Sequence, residues 1–346
     1  MEAEYSRTDR LLHHAALGSN FIAQASFDLE KALKKPVADV AGLQHVFISG
    51  LARAGTTVLM RVFHETGKFR SLTYRDMPFI LMPGIWSGIS RKFHDSGELK
   101  ERAHGDNLLV SYDSPEAFDE VFWRVFCGKK FIKPDCLVPH KPDTEMVAQF
   151  RQYVGLVLSS SENPGEERYL SKNNNNILRL GTIRTAFPEA LIIIPFRSPL
   201  QHAYSLMTQH ARFNDEQSHD DFTRQYMSWL GHYEFGPGHR PFCFSSASQS
   251  RRPSYEPDTL NYWLLEWCET YEYLLVQASH GEIFLSYEFL CENPEQVLAS
   301  LFSDAGLQEE TASISIQLKA SRSEIRNEID PALQDRSDAI HAALLA

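Results

Sequence analysis

"HVFISGLARAGTTVLMRVFHETG", residues His45–Gly67, decides how the rest of the chain is read. A short apolar strand, expected over Val46–Ser49, runs into Gly50. Gly55 follows, and "TTVLMRVFHETG" continues as a helix ended by Gly67. Strand, glycine-bearing turn and helix together present backbone N–H groups and a helix N-terminus to an anion. Loops that hold nucleoside triphosphates place a lysine directly after the second glycine. Here that residue is Thr56, and a cation stands inside the loop instead, as Arg53. Gly55, Thr56 and Thr57 open the helix with free N–H groups and two hydroxyls, and Arg53 adds a fixed charge with several donors. The plainer alternative is an ordinary strand-to-helix turn in which Gly and Thr serve only as caps.

Working outward, "ALIIIPF" (190–196) is a continuous β-branched run of the kind that a parallel sheet buries on both faces. It leads into "RSPLQHAYSLMTQH", where Ser198 can cap a helix whose first position is Pro199. Arg197 and Ser205 are eight apart, so a strand-end arginine and a hydroxyl two turns along the helix can face one groove. A second strand–helix unit is "RYLSKNNNNILRLGTIRTAFPEA". A helix is expected around Tyr262–Ala278, then a strand "EIFLSYEFL" and a helix from Pro294 to near Gly306. Strands alternating with helices predict an α/β fold, a P-loop-like parallel β-sheet flanked by helices. Sites in such sheets form at the carboxyl ends of strands, where Arg53 and Arg197 both fall. Residues 1–40 read as an N-terminal helical segment and 41–346 as one α/β domain. The segment 70–165 reads as mostly helical, with "SPEAFDEVFWRVF" starting a helix at its Ser-Pro. The Gly/Pro/Ser-rich stretch 234–257 reads as an excursion on the surface or over a site.

Composition narrows the partners. A formal net charge of −11 over 346 residues argues against nucleic acid, so any anionic ligand must be held by a local basic pocket. The N-terminal residues lack the basic and apolar blocks of a signal peptide, and Ala190–Phe196 is too short to span a bilayer. The five cysteines show no CxxC and no metal-ligand spacing with histidine. They read as reduced thiols in a cytoplasmic protein, with no metal.

Three stretches in order, "RAGTT" after a strand, "PFRSPLQHAYS", and "LSYEFLCENPEQVLASLFSDAGL", resemble the signatures of the sulfotransferase superfamily over about residues 44–307. The nearest branch is the bacterial and tyrosylprotein-sulfotransferase-like one. The resemblance implies a sulfonate donor, 3′-phosphoadenosine 5′-phosphosulfate, and accounts for the missing lysine, because no triphosphate is hydrolysed. It places the 5′-phosphosulfate on Arg53, Ala54, Gly55, Thr56 and Thr57, and the 3′-phosphate on Arg197 and Ser205. Tyr287 would lie near the adenine, or would be a core tyrosine. Ser321, Arg322 or Ser323 would add a further contact.

The same resemblance implies catalytic roles for Arg53 and for Lys172, which would meet charge on the sulfonate; an exposed lysine beside the Asn-rich turn is the other reading of Lys172. A hydroxyl acceptor needs a base. Asp76 is the only carboxylate between Lys68 and Asp95, so it is expected to be that base or else a cap before Met77-Pro78. His104 and His140 are weaker candidates. Arg75, Arg102, His104 and Arg124 would line an acceptor side built from helices 70–130, suggesting an oxygenated, glycan-like acceptor. The aromatic stretches Trp229–Phe235 and Tyr262–Tyr273 fit a helical core better than a sugar platform. A small-molecule kinase with a degenerate loop, or an inactive nucleotide-binding protein, are the competing functions.

Overall fold

The computed structural model describes residues 7–90, 100–101, 109–110, 115–218, 220–251, 254–278, 281–307, 318, 320 and 322–346. The chain opens with two helices, α1 (Arg7–Gly18) and α2 (Asn20–Leu33), the second capped by Ser19. Strand β1 (Val46–Ile48) leads through the loop into α3 (Thr56–Glu65) and then β2 (Phe69–Arg70). Helix α4 (Pro83–Ser90) precedes a separate antiparallel pair, β3 (Lys100–Glu101) and β4 (Leu109–Val110). Helices α5 (Glu120–Phe131) and α6 (Thr144–Ser159) bring the chain back to β5 (Arg168–Lys172). Next come α7 (Leu180–Ala186), β6 (Leu191–Phe196), α8 (Pro199–Ser218), α9 (Asp221–Leu230), α10 (Ser246–Arg251) and α11 (Leu260–Gln277). Strand β7 (Ile283–Ser286), α12 (Tyr287–Glu292), α13 (Pro294–Asp304) and α14 (Pro331–Leu345) complete it.

The main sheet has five strands in the order β2-β5-β1-β6-β7, every pair parallel. Parallel neighbours require crossovers, and these carry the helices to both faces. The period-2 geometry of a strand then explains the apolar runs. Val46 and Ile48 pack with α3, α12 and α13 on one face, while Phe47 between them joins the larger core under α5, α6, α7 and α11. Ile193 likewise faces one cluster, and Ile192 and Ile194 the other. Ala16, Leu17, Ala23 and Phe27 bring α1 and α2 onto that larger core.

The structure corrects three local expectations. Strand β2 has two residues, too few to give a period, and was not anticipated. The Ser-Pro of "SPEAF" does not open a helix: Pro115 bridges Thr73, Glu116 N donates to Leu72 O, and α5 begins only at Glu120. In "SYEFL" the strand stops at Ser286, whose side chain accepts from Phe289 N, so Tyr287 is the first residue of a helix.

Candidate active site

Between β1 and α3 the backbone takes the left-handed region twice, at Arg53 (φ 69°) and Gly55 (φ 86°). For an arginine that conformation is uncommon, and the surroundings hold it. His202 Nε2 donates to Ala52 O at 2.8 Å, Arg197 Nη1 donates to Arg53 O at 3.4 Å, and Arg53 Nε donates to Ser205 Oγ at 3.3 Å. His202 is fully buried, and burial pushes its ring down to about 3, so it is neutral and can hold one tautomer. Gly55 caps α3 with no side-chain bond, so the N-terminus of that helix opens directly onto the loop.

Arg53, Arg197, Ser205 and Tyr287 are thereby gathered at the carboxyl ends of β1, β6 and β7. Arg197 lies over the Tyr287 ring at 5.8 Å and 3.6 Å from Glu288 Oε1, which also accepts from Ser198 N at 3.2 Å. Burial raises the Tyr287 hydroxyl well above the ordinary tyrosine range, so it stays protonated. The C-terminal segment reaches α8 and α12: Ser323 N donates to Gln201 Oε1 at 2.8 Å, and Arg322 is 3.8 Å from Glu292. Ser321 lies outside the described residues.

On the other side of the loop, β5 pairs with β1 so that Lys172 stands opposite Ile48. Lys172 is buried, not exposed, and its Nζ lies 3.6 Å from Glu116 Oε1. The Asn-rich tract behind it is a hub. Asn173 Nδ2 donates to Asp119 and Glu120, Asn174 Nδ2 to Glu234 at 3.0 Å, Asn175 Nδ2 to Gly231 O, and Asn176 Nδ2 to Ser171. Arg179 forks onto Glu120 at 2.6 and 3.0 Å with both side chains fully buried, a geometry that fixes the start of α5. Asp119, held by Ser171 and Tyr169, is pushed up to about 6 by burial.

These elements line a chamber with a cavity volume of about 70 Å³, open to solvent at its mouth. Ala52, Arg53, Thr56 and Thr57 form its loop side, and Glu116, Ala117, Lys172 and Asn174 its floor. Gln209, Phe213 and Gln217 of α8 and Met227 of α9 make the far wall. After α9 the chain turns at Gly231 (φ 77°) and returns His232, Glu234 and Phe235 to the chamber. So part of Trp229–Phe235 lines the site rather than a helical core, and the start of the 234–257 excursion does lie over it.

Asp76 is elsewhere. Its Oδ2 accepts from Thr73 N at 2.7 Å in a capping box, and its Oδ1 pairs with Arg70 at 2.6 Å. It is buried and does not line the chamber; two carboxylates do, Glu234 and, beside Lys172, Glu116. His140 is stacked on Phe131 at 4.7 Å, and burial pushes it down to about 3. Arg124 is committed to Asn20 Oδ1 and Leu17 O. Arg75 does not line the chamber, and Arg102 and His104 lie outside the described residues. Sequence reasoning missed Glu116, His232 and Glu234. Only Glu116 left a signal: its Ser-Pro-Glu sits just before a helix, where a turn can hold it.

Among the described residues no helix is long and apolar enough to cross a membrane. No curated protein matches the chain. Among solved structures it is similar to a sulfotransferase of Mycobacterium tuberculosis H37Rv (13% identity, 88% of this chain and 78% of that one, TM-score 0.43). Another is a sulfotransferase of Mycobacterium avium (14%, 96% and 75%, 0.46), and a third is from Alicyclobacillus acidocaldarius (16%, 87% and 92%, 0.38). The family model described as "Sulfotransferase family" matches residues 45–236, more than half of the chain. That match starts at the strand before the loop, takes in Lys172, Arg197 and Ser205, and ends as the chamber wall closes after Phe235: the chain belongs to the sulfotransferase family.

Proposed function

We propose that this sulfotransferase moves a sulfonate from 3′-phosphoadenosine 5′-phosphosulfate to a hydroxyl held in the chamber, with Glu116 taking the proton. The observation that carries the reading is the position of Arg53. Its backbone is held by Arg197, its guanidinium reaches Ser205, and its side chain lines the same chamber as the buried Lys172–Glu116 pair. A 3′-phosphate would take Arg197 and Ser205, and the 5′-phosphosulfate the N–H groups of Gly55, Thr56 and Thr57 with Arg53. Residues 41–346 would form the catalytic domain, with the helical segment 1–40 packed on it.

In-line transfer needs the acceptor oxygen opposite the leaving phosphate and fixed cations where charge builds. The acceptor O–S bond forms as the bond from sulfur to the bridging phosphate oxygen breaks. The acceptor proton passes to Glu116, and adenosine 3′,5′-bisphosphate leaves with the electron pair. Lys172 pairs with Glu116 and would meet the sulfonate oxygens once the donor is bound.

Calorimetry with adenosine 3′,5′-bisphosphate against ATP with magnesium tests the donor assignment. The bisphosphate should bind at least about tenfold more tightly, a difference of roughly 1.4 kcal/mol. Equal affinities, or a magnesium-dependent preference for ATP, would instead indicate a kinase.

A further inference from the structure

Once a sulfonate engages Arg53 and Lys172, the carboxylates left in the chamber lining are Glu116 and Glu234, beside the amides of Asn174, Gln209 and Gln217 and the ring of His232. Asn174 is 6% exposed, and its Nδ2 donates to Glu234 Oε1 at 3.0 Å. That contact sets the orientation of the amide, because reversing it would turn an oxygen toward a carboxylate. The amide oxygen of Asn174 therefore points away from Glu234, and among the described residues it is buried with no donor. That oxygen is closed off from the chamber, so what Asn174 offers a ligand is the placement of Glu234, whose carboxylate is an acceptor in the chamber lining. Among the described residues the arginines expected to greet an anionic acceptor are not there: Arg124 is tied to Asn20 and Leu17, and Arg75 is not in the lining.

We infer that the acceptor is a non-anionic aliphatic alcohol bearing a second hydrogen-bond donor, an amino alcohol or a polyol, recognised by the Glu234 carboxylate that Asn174 Nδ2 holds. This rests on the sulfonate-transfer reading above. A carboxylated or sulfated acceptor would bring its negative charge against Glu116 and Glu234. A plain alcohol would bring no second donor to Glu234.

The test is sulfonate transfer from labelled 3′-phosphoadenosine 5′-phosphosulfate to a matched three-carbon set. The set is 3-aminopropan-1-ol, propane-1,3-diol, 3-hydroxypropanoate and propan-1-ol, each also titrated onto bisphosphate-loaded enzyme. The amino alcohol or the diol should exceed both other compounds by at least about tenfold in kcat/KM or in affinity, the factor one charge-assisted hydrogen bond supplies. If the amino alcohol leads, Glu234→Gln should shrink its lead over the diol; if the two are equal, hydrogen bonding alone makes the selection. The inference is overturned if hydroxypropanoate or propanol matches them, including the case where no member is distinguished from the rest. Bisphosphate calorimetry on the same protein separates the two levels: tight binding with the wrong acceptor preference sinks only this inference, and absence of binding sinks the donor assignment.

Discussion

The ring of Tyr287 lies across the backbone of Gly55 so closely that a Cβ added at position 55 would stand 2.3 Å from Tyr287 Cδ2. The glycine is thus required twice, for its φ of 86° and for the space the tyrosine occupies. Gly55→Ala should lose about 1–3 kcal/mol of stability and weaken adenosine bisphosphate binding, because relief must come from moving the loop or the ring. Tyr287→Ala is destabilising by itself, but the double variant should lose less than the sum of the two single losses, since the clash goes while the backbone strain stays. Denaturant melts of both single variants and the double variant check this, and strictly additive losses would count against the contact.

Asp76 is predicted to matter for folding and not for chemistry. It satisfies Thr73 N and pairs with Arg70, whose side chain is 14% exposed. Asp76→Ala would leave that guanidinium largely buried and uncompensated, a loss of roughly 3–5 kcal/mol. The milder Asp76→Asn should lower the melting temperature yet keep turnover of the remaining folded enzyme within about threefold. Activity normalised to folded protein by circular dichroism separates these.

Three histidines set the acid limit. Burial holds His45 down to about 4, and His140 and His202 to about 3, with Arg168, Arg179 and Lys130, and Arg197 and Arg53 near them respectively. Unfolded, each titrates at about 6.5. The unfolded chain therefore binds more protons between these values, and stability is full above pH 6.5 and falls as pH drops toward 4. Asp119 opposes this, because its folded value of about 6 lies above that of an unfolded aspartate and favours folding as pH falls through 6. Glu30, raised by burial, opposes it too, while His13, His210 and His341, also held down by burial, add to the loss. The histidines outnumber the two carboxylates and leave a net loss, on the order of 1 kcal/mol per pH unit for each of the three strongest. Neither ring nitrogen of His140 has a partner among the described residues. His140→Phe, stacking on Phe131 as the imidazole does, should flatten the melting-temperature profile between pH 7 and 5 without reducing turnover.

Arg197 carries the 3′-phosphate in this account, and its guanidinium is also the clamp on Arg53 O. Arg197→Ala should cost at least about tenfold in bisphosphate affinity, the scale of one charge-assisted hydrogen bond. It should cost far less for adenosine 5′-phosphate, which lacks the 3′-group. Equal losses for both ligands, read by calorimetry, would assign Arg197 to loop structure alone.

The parallel sheet and the loop were legible in the sequence because each rests on local patterning. Alternate residues of β1 and β6 feed opposite cores, which forces a continuous apolar run. The eight-residue gap between Arg197 and Ser205 is fixed by helix geometry. The acceptor side was not legible, since it is assembled from segments far apart in the chain. Glu116 owes its place to a two-residue bridge at Thr73–Pro115, and Glu234 to an amide from Asn174 and a left-handed Gly231. Asp76 satisfied the local rule for a base and equally the rule for a cap, and only tertiary placement distinguishes them. The asparagine tract looked like a polar turn because composition carries no information about which buried acids and carbonyls it meets.

The most direct test of the account is single-turnover transfer of labelled sulfonate by the wild type and by Glu116→Gln, with bisphosphate affinity measured on both. Glutamine keeps the shape at position 116 and can still bond Ala117 N, but it cannot take the acceptor proton. The account predicts transfer by the wild type, a loss of roughly 10²–10⁴-fold in the variant, the usual contribution of a positioned base, and donor affinity unchanged within about threefold. A variant that keeps more than a tenth of the wild-type rate, or one that fails because it no longer binds the bisphosphate, would contradict it.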